Sequence, residues 1–211
     1  RWGDIYINEA FADSHRAHAS MVSLAKILPS FAGPELEKEL YSLGTILQKP
    51  KRPYVALVGG IKLETKLPLV KRFLQEADKV LIGSGFAGAL PIRRPKNLYA
   101  PIDYVVSGNK KVDIGSKTIA YFKDLMRDAK TVVWNGPLGF TPYFTKGTKE
   151  LAKTLARSKA FILVGGGDTV AALEKLDISL NSFDHVSTGG GAMLEMLAGE
   201  KLPAVEALKR N

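Results

Sequence analysis

Glycine clusters set directly after short apolar runs are the residues best suited to chemistry in this chain. Gly59-Gly60 follows Tyr54–Val58, and Gly83-Ser84-Gly85 follows Val80–Ile82. Asn135-Gly136-Pro137 follows Thr131–Trp134, Gly165-Gly166-Gly167 follows Phe161–Val164, and Gly189-Gly190-Gly191 follows His185–Thr188. Glycine lets backbone N–H groups approach an anion with no Cβ in the way. Where such a loop opens a helix, unpaired N–H donors and the helix dipole favour a phosphate. One Gly-Gly is an ordinary turn, whereas five clusters at equivalent places point to a phosphate-bearing ligand. The P-loop pattern G-x-x-x-x-G-K-[ST] is absent. A literal G-x-G-x-x-G does occur at Gly83, Gly85 and Gly88, with Asp103 twenty residues after Gly83. That dinucleotide outline should open a helix, but Pro91 and Pro95 follow too soon for one.

Charged and hydroxyl side chains accompany these loops. Lys62 and Lys66 stand four apart just after Gly59-Gly60, so on a helical turn they share a face. Like charges there disfavour the helix unless an anion lies between them; the plain alternative is two solvated lysines. Asp168 and Thr169 follow Gly165–Gly167. Asp168 can cap a helix, or hold Mg²⁺ shared with phosphate oxygens. Ser187-Thr188 before Gly189 offers hydroxyls either to an anion or to a helix N-terminus. The segment Asp13-Ser14-His15-Arg16-Ala17-His18 is the one dense polar cluster near the start. His15 and His18 lack an evident third metal ligand, and Arg16 suits a phosphate or carboxylate. No G-x-S-x-G elbow supports a Ser-His-Asp hydrolase.

Elements that would position these residues are legible in the apolar pattern. Continuous Val/Ile-rich runs read as strands buried on both faces. Earlier runs at Asp4–Ile7 and Pro101–Val106 join them. Helix-period stretches lie at Thr65–Ala77, Ser116–Ala129, Lys146–Ser158, Thr169–Leu176 and Gly191–Ala198. Alternating strand and helix predicts an α/β fold, a doubly wound parallel sheet with helices on both faces. In such sheets ligands sit beyond the carboxyl ends of the strands. A long charged stretch, Gly33–Gln48, carries Leu36, Leu40, Leu43 and Leu47 at helical spacing and suits either a connector between domains or an ordinary surface helix.

Composition narrows the classes. The 211 residues carry 30 Lys+Arg against 21 Asp+Glu, a formal charge of +9, with 45% hydrophobic residues and no Cys. Thiolate catalysis, disulfides and Cys-ligated zinc are excluded. The positive charge fits anionic partners. The basic residues are scattered, and the densest group, Arg93-Arg94-Pro95-Lys96, comes with no nucleic-acid motif. No apolar run approaches the ~18 residues of a membrane span, and no signal peptide is evident, so the expectation is a cytoplasmic protein. The chain opens at Arg1 without Met, as expected of a segment beginning inside a longer product.

Taken in order, these motifs resemble the phosphoglycerate kinase family. The resemblance rests on Gly3–Asn8 with Ala10-Phe11, His15–Ser20, Leu36–Leu40, and Gly59-Gly60-x-Lys62-x-x-x-Lys66. It continues through Trp134-Asn135-Gly136-Pro137-x-Gly139, Gly165–Thr169 and His185–Ala192, and so covers nearly the whole chain. It implies two doubly wound domains joined by a hinge, one for 3-phosphoglycerate and one for MgATP or MgADP. The implied layout is the tail of the acid-substrate domain over residues 1–32, a hinge helix over 33–50, the nucleotide domain over 51–193 and a C-terminal segment over 194–211.

The implied activity is reversible phosphoryl transfer between 1,3-bisphosphoglycerate and ADP, giving 3-phosphoglycerate and ATP in glycolysis, by a monomer. The resemblance makes Arg16, Lys66, Gly166 and Gly190 the catalytic set, with Arg16 gripping the acid substrate. It assigns the nucleotide to Gly60, Lys62, Lys66, Gly83, Gly85, Asn135, Gly136, Pro137, Gly139, Gly165, Gly166, Gly167, Asp168 and Thr169. Asp168 is the implied Mg²⁺ ligand, Glu39 and Thr188 are the implied hinge residues, and Asp113–Gly115 lies around adenine. The sequence departs from the family in four places. Ile61 replaces a small residue. Gly83-Ser84-Gly85 replaces three glycines. Phe140-Thr141-Pro142 stands where a ribose-binding Glu is usual. A short Pro-rich stretch between Phe86 and Tyr99 replaces long helices. Competing readings are a non-catalytic adenine-nucleotide-binding module, since only Arg16 of the acid site is recognisable, and a dinucleotide-dependent oxidoreductase.

Overall fold

A computed structural model of the chain describes residues 3–61, 63–86 and 95–209, without the side chains of residues 63–65. Lys62 and Gly88 lie outside the described residues. The chain divides into two compact units, residues 1–49 with 187–211, and residues 50–186.

In the first unit, β1 (Tyr6–Asn8) pairs in parallel with β2 (Ser30–Ala32), Ile7 opposite Phe31. The connection runs through a 3₁₀ turn at Phe11–Asp13 and a π-helical turn at Ala19–Ser23 that continues into α1 (Leu24–Ile27). Next comes α2 (Pro34–Gln48), with Pro34 in the first turn, where its missing N–H costs nothing. The Glu9 carboxylate reaches over to cap this helix, accepting from Glu35 N at 3.0 Å and Leu36 N at 3.2 Å. A side chain at Gly33 would collide with Glu9. The buried face of α2 is Leu36, Glu39, Ser42, Leu43 and Ile46, while Leu40 and Leu47 lie half-buried at its margin.

The second unit is built on a central sheet. Its elements are β3 (Tyr54–Val58), α3 (Leu63–Glu76), β4 (Lys79–Ile82), β5 (Leu98–Tyr99), β6 (Tyr104–Ser107), β7 (Lys110–Ile114) and α4 (Ser116–Met126). They continue with β8 (Thr131–Asn135), α5 (Lys146–Leu155), β9 (Phe161–Gly165), α6 (Gly167–Lys175) and β10 (His185–Ser187). Six strands form one sheet in the order β10-β9-β8-β3-β4-β5. The pairs β3–β4, β3–β8, β4–β5 and β8–β9 are parallel. Every residue of β3 and β8 is buried, as the unbroken apolar runs predict. The core centres on Trp134, fully buried, whose indole N–H donates to Gly136 O at 2.9 Å. From β3 the chain winds outward through β4 and β5, then returns to β8 on the other side of β3. The order therefore reverses between β3 and β8, the point at which such sheets bind ligands.

One apolar run has a different fate. Pro101–Val106 does not add a strand to the parallel sheet. Its second half is β6, which forms an antiparallel hairpin with β7 and leaves Val105 and Val106 exposed. The Ser107-Gly108-Asn109 turn, with Gly108 at φ 56°, closes the hairpin. Asp103 is spoken for as well. Its carboxylate accepts from Lys117 N at 3.0 Å, Thr118 N at 2.7 Å and the Thr118 hydroxyl at 2.6 Å, capping α4 from a distance. An acid so engaged does not serve a dinucleotide ribose, and Gly83 is followed by a 3₁₀ turn, Ser84–Phe86.

The first unit is completed by α7 (Gly190–Leu197) and α8 (Pro203–Leu208), whose small residues Ala204 and Ala207 are buried. Ala204 N donates to Ser14 O at 3.2 Å. Ile7 and Phe31 of the β1–β2 ribbon stand exposed, as does Ile5 just before it.

Candidate functional site

The site in the second unit starts from a meeting of backbones. Gly59 N donates to Asn135 O at 2.8 Å, and Gly60 N to Pro137 O at 2.7 Å, so the loops after β3 and β8 run against each other. A Cβ on Gly59 would collide with Pro137 O. Gly85 lies as close to Gly60 O, and Ser84 ties on through N–H and hydroxyl bonds to Leu138 O at 3.0 and 2.8 Å. Gly83 N donates to Val58 O at 2.8 Å. Gly60, Gly136 and Gly166, each just past the end of its strand, have φ of 95°, 93° and 93°, a conformation that L side chains rarely adopt. Three strands at the switch point thus end in one backbone geometry.

Lys66 enters from the first turns of α3. Its ammonium donates to Gly59 O at 2.6 Å, and it lies so close to Gly136 that a Cβ there would strike Nζ. Burial pushes Lys66 down to about 8, while the charge of Asp168 pulls it back up. Asp168 is exposed, in the first turn of α6, and its carboxylate has no hydrogen bond or ion pair among the described residues. It does not cap the helix, because Gly166 occupies the cap position and no side chain bonds there. Among the described residues no group of three or more His, Cys, Asp or Glu side chains could hold a metal, His15 and His18 included. A lone exposed carboxylate fits a Mg²⁺ ion held mainly by phosphate and water rather than by a protein cage. A cavity of about 280 Å³ is bounded by Asp168 and Lys175 of α6 and by Thr141, Pro142 and Thr145.

Two side chains assigned to the ligand by their motif have protein partners. The Thr169 hydroxyl, fully buried, accepts from Gly136 N at 2.7 Å and donates to Gly165 O at 2.9 Å. Asn135, 2% exposed, donates through Nδ2 to Gly165 O at 3.1 Å. Both tie the end of β8 to the end of β9.

In the first unit, Arg16 is exposed, with no ion pair among the described residues. Glu39, 3% exposed, accepts from Thr188 N at 2.6 Å and from the Thr188 hydroxyl at 2.9 Å, so the two residues expected at a hinge are bonded directly. Gly189 leaves room for Phe11, Gly191 packs on His15, and Gly190 at φ 39° opens α7. The stretch Asp113–Gly115 was expected around adenine, but sequence reasoning missed that Asp113 is buried and accepts a bond from Gly147 N. Ile61 is exposed.

Fold and loops define a doubly wound α/β protein with a glycine-lined cleft, suited to phosphate, at its switch point. The phosphoglycerate kinase family profile matches residues 1–93 and 92–200, and the chain belongs to that family. A phosphoglycerate kinase of Leptospira biflexa is 38% identical over 253 positions, covering 97% of this chain and 64% of the relative. One from Desulforudis audaxviator is 37% identical over 255 positions, covering 99% and 65%. The solved phosphoglycerate kinase of Coxiella burnetii superposes with a TM-score of 0.85 at 34% identity, covering 98% of this chain and 66% of that one. The chain therefore spans just under two thirds of the length of these curated relatives. An alignment of 253 positions is longer than the 211-residue chain, so gaps fall within it, and the two profile matches meet at residues 92–93, inside the shortened Phe86–Tyr99 stretch.

Thr169→Val should strand the Gly136 N–H and lower stability by about 1–3 kcal/mol in urea unfolding, whereas Thr169→Ser keeps wild-type stability. A Val variant as stable as wild type contradicts the staple. Lys66 predicts a pH dependence. Only its protonated form attracts phosphate, and the free protein loses that proton as pH rises through about 8. The Kd for pyrophosphate should then rise by up to about tenfold per pH unit above that point, relative to a Lys66→Met variant that lacks this slope. Parallel pH profiles for the two proteins by calorimetry would disprove it.

Proposed function

We propose that this chain supplies the nucleotide-binding part of a phosphoglycerate kinase. That enzyme transfers a phosphoryl group reversibly between 1,3-bisphosphoglycerate and ADP, giving 3-phosphoglycerate and ATP. The observation that supports this best is the convergence at the switch point. Lys66 Nζ, the three positive-φ glycine turns and Asp168, whose carboxylate has no partner among the described residues, all lie in the loops or first helical turns that follow β3, β8 and β9. Phosphoryl transfer asks a protein for positioning and charge neutralisation more than for covalent chemistry.

On this reading the ADP phosphates lie along Gly60, Gly136 and Gly165–Gly167, with N–H groups at the start of α6 facing them. Lys66 leaves Gly59 O for the transferring phosphoryl group, trading a neutral acceptor for a charged one. Asp168 is the residue that would hold Mg²⁺, which supplies charge neutralisation when bound. Asn135 and Thr169 keep the β8 and β9 loops in register, and Gly83, Gly85, Pro137 and Gly139 complete the cleft. In the first unit, Arg16 grips the carboxylate or phosphate of the acid substrate, Gly190 at the start of α7 offers a backbone amide of the kind that suits a phosphate, and the Glu39–Thr188 bond serves the hinge.

A second reading, a nucleotide-binding module without turnover, is favoured by one observation: the chain spans only 64% of its Leptospira relative. In-line transfer needs both substrates fixed and water excluded, and a single arginine is too little to hold an acid substrate. The 211-residue polypeptide is therefore expected to bind MgADP by calorimetry and to give no turnover in a coupled assay. Turnover by that species contradicts the requirement for further chain; absence of MgADP binding contradicts the nucleotide assignment. Asp168→Ala should weaken MgADP binding by about tenfold or more while leaving metal-free ADP within about twofold. Equal losses for both would show that Asp168 does not serve the metal.

A further inference from the structure

Asp113 sits one residue before the end of β7 and is 1% exposed. Its carboxylate accepts from Ile114 N at 2.8 Å and from Gly147 N, in the first turn of α5, at 3.0 Å. Burial pushes this carboxyl up, and the bonds from the Gly147, Ile114 and Lys146 amides offset only part of that cost. Two glycines make room for it. A Cβ on Gly139 or on Gly147 would come within 2.6 Å of Asp113 Oδ1. Gly139 belongs to the loop joining β8 to α5, and Gly147 to the helix that ends it. One buried acid thus touches that loop in its middle and at its far end. Neighbouring bonds run along the same seam: Phe140 N donates to Val112 O at 2.8 Å, and Leu138 N to the Thr148 hydroxyl at 3.0 Å.

We propose that Asp113 is a positioning residue for the nucleotide cleft, its carboxylate fixing the course of loop 136–145 and thereby the wall against which the nucleoside part of the ligand rests. The proposal rests on the nucleotide reading given above. The contacts of the phosphate end are independent of Asp113: Lys66 on Gly59 O, Thr169 on Gly136 N and Asn135 on Gly165 O. Loss of the carboxylate frees the Ile114 and Gly147 N–H groups and opens space beside Gly139, which acts on the nucleoside side alone. A merely structural acid would lower the unfolding temperature and leave ligand preference unchanged.

The test compares wild type, Asp113→Asn and Asp113→Ala well below their unfolding temperatures. Calorimetry is run with ADP and with pyrophosphate, each with Mg²⁺, and amide hydrogen exchange is followed over residues 138–147. In Asp113→Ala, the Kd for ADP should rise about tenfold while that for pyrophosphate stays within about twofold. The Phe140, Phe144 and Gly147 amides should exchange faster. Asp113→Asn, which keeps one acceptor, should fall between, and it carries the same split if the Ala variant does not fold. Equal losses for ADP and pyrophosphate, or unchanged exchange in the loop, overturn the proposal. Wild-type protein that binds pyrophosphate but not ADP overturns the nucleotide reading itself and this assignment with it, whereas normal ADP binding with no split in the variants overturns only the role of Asp113.

Discussion

The close approach of the β3 and β8 loops is the constraint on which the rest depends. Two backbone bonds, Gly59 N to Asn135 O and Gly60 N to Pro137 O, are possible only because no Cβ stands between the chains. The contact brings two strand ends together at the reversal of the sheet. It also creates a pocket of carbonyl and amide groups into which Lys66 can fold. Without it, Gly136 would have no fixed place from which to donate to Thr169, and the β8 and β9 loops would lose their staple. Any side chain at position 59 is therefore expected to act on the whole cleft.

Polar groups in the cleft divide into those committed to the protein and those left free. Thr169 and Asn135 are buried and paired, so their energetic role is to spare backbone groups the cost of going unmade. Lys66 is intermediate, held by a neutral carbonyl at a burial that disfavours its charge. Asp168 is exposed and has no hydrogen bond or ion pair among the described residues. A site so arranged has its frame preformed and its charges unspent, and binding of an anion relieves the penalty on Lys66.

Much of this was legible in the residues. Unbroken apolar runs ending in glycine marked β3, β4, β8, β9 and β10, because strands buried on both faces need no alternation and glycine must follow where backbones touch. The helix over Pro34–Gln48 was legible from its leucine spacing, although the Glu9 cap was not, since it comes from twenty-six residues away. Pro101–Val106 misled because an apolar run does not say which sheet it joins. The Ser107-Gly108-Asn109 turn was the overlooked signal for a hairpin. β5 has two residues and leaves no pattern to read. The resemblance put Asp113–Gly115 near adenine, but the burial of Asp113 and its bond to Gly147 were not legible, because a buried acid is defined by what surrounds it in space, here Gly139 and Gly147, and not by spacing along the chain.

The most direct measurement of the central claim is a crystal structure of the 211-residue chain with ADP and Mg²⁺. The account predicts phosphate oxygens within hydrogen-bond reach of the N–H groups at Gly166–Asp168, Lys66 Nζ moved from Gly59 O onto a phosphate, and the Thr169 bond to Gly136 N intact. Phosphates seated elsewhere on the chain, with Lys66 still on Gly59 O, would contradict it.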